Sequence, residues 1–270
     1  MSGNDREARG RSRSRRGALP WVTPLYVGAL QLGAYATARL PGPRRAELLR
    51  THSTNVANLR AGRWGTLATS AVFVEAPLPA AYGAALLATL GTAEARWGAG
   101  RAAAVFAAGH VGASLLVYAG LRARPGGPAA AAPPPSGVPG GAGGATAHAV
   151  DVGASYGSYA TLGALAASLP HRGARVAVTG GLLALGAIPV VRRGRTFTDA
   201  GHLTALALGV AMGAARRAVR GRFSAGERKD ARRGASTTPV REWAVGAGTS
   251  AARGRARPES GGIASQRGVV

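Results

Sequence analysis

The chain has 270 residues, 34 of them Lys or Arg against 11 Asp or Glu, for a formal net charge of +23. That length admits one large or two small domains, and so large a positive charge calls for anionic lipid headgroups or nucleic acid to neutralise it. With no cysteine in the chain, disulfides, thiolate metal sites and cysteine nucleophiles are excluded.

Residues 1–20 form a basic tail whose arginines lie between Arg6 and Arg16. The apolar stretch that follows is long and has no cleavage site of the signal-peptide kind, so it reads as a first membrane anchor. Six segments are expected to be membrane helices, each needing about 20 mostly apolar residues: 21–40, 78–93, 102–121, 152–169, 176–191 and 200–215. Alanine and glycine dominate the last three, a composition suited to helices that pack closely on other helices. The fold class expected is therefore an all-α membrane protein with a six-helix domain over 21–218.

Between the first two spans, 41–75 contains THSTNVANL and RWGTLATSAVFVE, whose alternation of polar and apolar residues suits interfacial helices. Residues 125–146, opening PGGPAAAAPPPSGVPGG, are of low complexity and read as a flexible loop between the third and fourth spans. The segment 219–270 is polar, basic and aperiodic, and reads as a disordered tail. Arginine at both ends puts both termini in the cytoplasm, which six spans satisfy. Arg44, Arg45, Arg192, Arg193 and Arg195 fall in the opposite loops and dilute that asymmetry. The tails lack the interleaved aromatics of a nucleic-acid stacking platform, so anionic lipid is the partner expected for them and no nucleic acid.

Ionisable and hydroxyl side chains inside membrane helices are costly and mark candidate sites. His110 lies in the third span and suits a hydrogen bond between helices; His52 lies in the 41–75 loop and suits an interfacial or capping role. His202 opens the sixth span, where Gly201, Ala205 and Gly209 make a small-residue stripe at i, i+4 and i+8. The fourth span offers Gly153, Gly157 and Ala160 on one side and Ser155 with Tyr159 on an adjoining one. If the stripes meet, Ser155 comes within reach of His202. A serine hydroxyl needs such a base to attack at neutral pH, and an imidazole can take that proton and return it to the leaving amine. The bland alternative is a serine bonded to its own helix backbone.

The fourth-span stretch GASYGSYATLGA resembles the helix of rhomboid intramembrane serine proteases that carries Gly-x-Ser-Gly, and GHLTALALGV resembles their sixth helix, with His202 at the position of the base. Gly153, Ser155 and Tyr159 keep the pattern, and Tyr159 falls where the family has an aromatic ring against the histidine. LGTAEARWGAGR is similar to the family's glycine, Glu-x-Arg, glycine junction between helices two and three, through Gly91, Glu94, Arg96 and Gly98. RWGTLATSAVF resembles a further family segment, with Thr66 in place of an arginine.

The resemblance runs over about 21–218. It implies cleavage of membrane-anchored proteins in a bacterial plasma membrane by a Ser155–His202 dyad, with no metal or cofactor. It also marks departures. Tyr156 stands where the serine motif closes on glycine, and Tyr82 and Leu86 stand where active members carry a His-x-x-x-Asn oxyanion pair. The backbone N–H of Ser155, or His52, Asn55 or His110, are the donors left to replace that pair. THSTNVANL, with Asn55 and Asn58, has no counterpart in typical members. The alternative is a non-proteolytic relative that binds or escorts membrane proteins. A transporter fits poorly, since no carboxylate lies within a span.

Overall fold

The structure is a computed structural model that describes residues 19–123, 150–192 and 196–236, with side chains to residue 222. The expected loop 125–146 and most of the basic N-terminal tail lie outside the described residues, as does the C-terminal segment from 237 on. The described residues form helices and connections, with no strand among them.

Helix α1 spans Val22–Ala38 and buries Thr23, Val27, Leu30, Ala34 and Thr37, a three-and-four spacing that turns one face inward. It has no side-chain cap of its own at Trp21. Glu94 supplies one from the far end of the next long helix. Its carboxylate accepts Val22 N–H at 3.0 Å, Thr23 N–H at 2.8 Å and the Thr23 hydroxyl at 2.7 Å. A buried carboxylate is thus neutralised by the orphan donors and positive end of a helix N-terminus.

The 41–75 region folds as three short helices: α2 over Gly42–His52, α3 over Val56–Arg60 and α4 over Thr66–Thr69. Asn55 caps α3 by accepting the Asn58 N–H at 2.9 Å, and the Asn58 amide donates to the carbonyls of Arg50 and Ser53. His52 stacks on Phe73, ring centroids 4.3 Å apart. These three polar side chains are committed to holding the loop.

Helix α5 spans Ala80–Trp97 and α6 spans Ala99–Ala123. Gly98 joins them at φ +81°, a backbone state that side chains disfavour, and its N–H bonds the Glu94 carbonyl at 2.8 Å. Gly98 is thus the reversal of the glycine–glutamate–arginine junction, and Glu94 is its tie to α1. Gly91 has open space where a side chain would stand, and Arg96 is exposed.

Helix α7, Ser155–Ala167, is the centre: ten of its thirteen residues are buried, which is why it is built from small ones. It packs on α6, α5 and α8 (Arg172–Val191). The final helix, α9, spans Phe197–Ser236 and so runs past 219, where a disordered tail was expected to begin. Two compact units divide after Ser224, the first holding the packed helices and the second helical to Ser236.

Among the described residues two helices are long and apolar enough to cross a membrane: Ala99–Ala123, mean hydropathy 1.6, and Arg172–Val191, mean hydropathy 1.8. Helix α8 buries none of its residues and exposes Val176, Leu185 and Val191, the pattern of a helix facing an apolar solvent. The other four expected spans coincide with α1, α5, α7 and α9 without passing the same test. Helix α1 has 17 residues and α7 only 13, and small residues hold their hydropathy down.

Candidate active site

Glycine sets how closely the helices approach. A Cβ on Gly109 of α6 would lie 2.0 Å from the Ala160 Cβ, and one on Gly209 of α9 would lie 1.9 Å from the Ala160 carbonyl oxygen. Gly163 and Gly213 meet the facing backbone at 2.3 and 2.7 Å in the same way. Helix α7 is therefore gripped between α6 and α9 at backbone distance. The α9 stripe meets α7 through Gly209 and Ala205, the latter in one buried cluster with Tyr156, Ala160 and Ala113. Gly157 does not join that contact; its Cα faces the ring of Phe106 on α6.

This packing carries His202 onto α7. The Tyr159 ring stacks on the imidazole, centroids 4.6 Å apart and planes 19° from parallel. Tyr156 meets the same imidazole edge-on at 5.5 Å. Tyr156 is turned inward and only 2% exposed. Its hydroxyl occupies the place where a Cβ on Gly201 would stand, 2.3 Å away. The bulk beside Ser155 thus fills the α7–α9 interface. The His202 Nε2 is buried and has no hydrogen-bond partner.

Ser155 is the first residue of α7 and is partly exposed. Its N–H belongs to the first turn, where a helix has no acceptor of its own. No hydrogen bond joins Ser155 to His202. The serine–histidine pair that is hydrogen-bonded is Ser70 with His110, Oγ to Nε2 at 2.9 Å, and both residues are buried. Sequence periodicity could not find that pair, because its members lie 40 residues apart on separate elements.

A cavity of about 370 Å³ opens between α5, α7, α8 and α9, with His202, Tyr159, Tyr82, Ser158 and Pro189 among its walls. Ser158 was missed in the sequence. Its Oγ is buried and unpartnered, and it is a second hydroxyl on the His202 side of α7. Unlike that of Ser155, its N–H is already bonded, to the Ala154 carbonyl at 3.0 Å. Leu86, at the second position of the oxyanion pair, is buried in an apolar cluster with Val27 and Leu30. Tyr82 packs against the same cluster. Among the described residues no group of His, Asp and Glu is arranged to hold a metal ion.

A sequence-family profile described as "Rhomboid-like protein" matches residues 12–224. No curated protein and no solved structure matches the chain.

Proposed function

The chain belongs to the rhomboid-like family, and from that premise we propose that this membrane protein is an intramembrane serine protease, with Ser155 as nucleophile and His202 as its base. The reading takes α1, α5, α6, α7, α8 and α9 as the six spans. The observation that carries it is the Tyr159–His202 stack at 4.6 Å. Ser155 and Tyr159 are four residues apart on α7, hence neighbours on one face, so the ring that seats the imidazole lies on the side of α7 that carries the serine.

Two further features support the roles. The imidazole Nε2 has no competing partner, so it is free to take the Ser155 proton as the hydroxyl attacks a peptide carbonyl. That proton then goes to the leaving amine, and water releases the acyl group by the same route in reverse. The open N–H at the start of α7, at the positive end of the helix, suits the developing oxyanion. Ser158, whose N–H is committed, has no such donor. A substrate helix would unwind locally to expose its carbonyl, since helical backbone is satisfied within itself. The 370 Å³ cavity, walled mostly by apolar side chains, suits an apolar residue beside the scissile bond.

A second reading, a non-proteolytic relative that binds membrane proteins, is favoured by Leu86 and Tyr82 in place of oxyanion donors and by the absent Ser155–His202 hydrogen bond. Loss of one such donor costs about 100- to 1000-fold in rate. The two readings separate by labelling the detergent-solubilised protein with a fluorophosphonate. The protease reading expects adduct on the wild type and none on Ser155→Ala or His202→Ala, with Ser158→Ala still labelled. An unlabelled but folded wild type moves the assignment to the binder.

A further inference from the structure

THSTNVANL has no place in the dyad, yet its middle residues are among the most buried polar groups described: Ser53, Thr54 and Asn55 are each at most 3% exposed. Asn55 caps α3, while Ser53 and Thr54 reach partners about a hundred residues away, on the turn that leads into α7. The Thr54 N–H donates to the Asp151 carbonyl at 3.2 Å, and the Asp151 N–H donates to the Ser53 Oγ at 2.7 Å. Two residues on, the Gly153 N–H donates to the Ser70 carbonyl at 2.7 Å. Gly153 sits there at φ +136°, a conformation that side chains rarely adopt. Ser70 is tied back to the same segment: its Oγ lies 2.8 Å from the Thr54 Oγ1, which also reaches the Thr66 carbonyl at 2.8 Å. Among the described residues, the backbone anchors of Asp151 and Gly153 in the turn before Ser155 are therefore supplied by this loop.

The side chain of Asp151 closes the arrangement. The Tyr118 hydroxyl of α6 contacts the Thr54 carbonyl oxygen at short range and the Asp151 Oδ2 at 2.7 Å. A phenol has one hydrogen. A carbonyl cannot donate, so both contacts are hydrogen bonds at once only when the carboxyl carries a proton and gives it to the phenol oxygen; an ionised Asp151 accepts from Tyr118 instead. The groups that act on this carboxyl are Tyr118 from α6, Tyr156 from α7 and Glu75 from the connection before α5, with no cation among them. Burial pushes Asp151 up to about 6 against the opposing pull of the Tyr118 hydrogen bond, so the carboxyl holds its proton in mildly acidic solution and gives it up towards neutrality.

We propose that the 53–54 segment and a neutral Asp151 form a bracket that fixes the turn delivering Ser155, with Asp151 as a positioning residue that donates to Tyr118. The bracket deepens the protease reading, since a first-turn nucleophile is only as well aimed as the turn before it, but its geometry stands without catalysis.

The absence of cysteine makes the test clean: Ser155→Cys introduces the sole thiol, and its rate of reaction with a maleimide reads the order of the turn. In that background, assayed at about pH 5.5 where the acid keeps its proton, Asp151→Asn, whose amide N–H replaces the acid's donor, keeps the rate within about twofold. Asp151→Ala and Tyr118→Phe each raise it about fivefold or more, as expected for loss of a buried hydrogen bond. Asp151→Asn acting like the alanine variant would mean that the charge, not the donor, is needed, and would overturn the neutral-acid assignment. Unchanged rates in all three would overturn the bracket. Should Asp151→Ala not fold, Tyr118→Phe and Asp151→Asn decide the matter between them. Failure of the wild type to take up fluorophosphonate, with this thiol pattern intact, removes the protease reading and leaves the bracket standing.

Discussion

The meeting of Tyr159 with His202 was legible in the sequence, through the family resemblance and through the small-residue stripe that brings the two helices together. The bracket around Asp151 was not legible. Ser53 and Asp151 are 98 residues apart, and no repeat links two polar groups that meet only because two loops do. Tyr156 was legible as bulk beside the serine, but its direction depended on Gly201, on a different helix, leaving room for the hydroxyl. At this scale Asp151 makes a prediction about pH. A carboxyl whose folded pKa, about 6, lies above its ordinary 3.8 binds its proton more tightly when folded. Its contribution to stability is thus full below about pH 4 and is lost as pH rises through about 6. At about 1.4 kcal/mol per pKa unit, the loss is on the order of 2–3 kcal/mol. Asp151→Asn cannot titrate. The expected result is that wild-type stability falls relative to Asp151→Asn between pH 4 and 7, followed by SDS-titrated unfolding in mixed micelles with circular dichroism. A constant difference across that range would mean that Asp151 is ionised in the fold throughout.

At the scale of the element, composition foretold the close packing of α7 and α9 but not the state of α8, which was expected to pack closely and buries none of its residues, and it misjudged which helices pass for spans. Helix α7 is rich in glycine, serine and alanine because α6 and α9 press on it at backbone distance, and the same residues depress the hydropathy by which a span is recognised. Lipid does not drive helices together, so close van der Waals contact and hydrogen bonds hold such an interface. Gly209 is its narrowest point, with the Ala160 carbonyl oxygen 1.9 Å from where a Cβ would stand. Since that obstacle is backbone, Gly209→Ala must part α7 from α9, at a cost of about 1–3 kcal/mol, and pull His202 off Tyr159. Gly28 of α1 has nothing within 4 Å of its Cβ position. Gly28→Ala is therefore expected to be neutral or to stabilise by up to about 1 kcal/mol through helix propensity. Unfolding of the two variants side by side checks this, and Gly209→Ala as stable as Gly28→Ala would mean that α9 does not rest on Ala160.

For the whole molecule, charge is the remaining determinant. The dyad reading needs Ser155 and the Asp151 bracket at one membrane face, with the Gly98 reversal between α5 and α6 at the other. On that reading six crossings would return both termini to one side, and by the positive-inside rule the basic segments before residue 20 and after residue 216 would make that side the cytoplasm. The arginines at 44, 45, 192, 193 and 195 pull the other way, so net asymmetry decides, not a clean partition. Single cysteines at Ser12, Ser136 and Ser250 resolve it, because the chain has no other thiol. With a membrane-impermeant maleimide on intact cells, only Ser136→Cys is expected to react; after lysis, all three. Labelling of Ser12→Cys but not Ser250→Cys on intact cells would require an odd number of crossings. Helix α7, the shortest of the six and the most buried, would then be the segment that fails to cross, and Ser155 would lose the arrangement that pairs it with His202 at a membrane face.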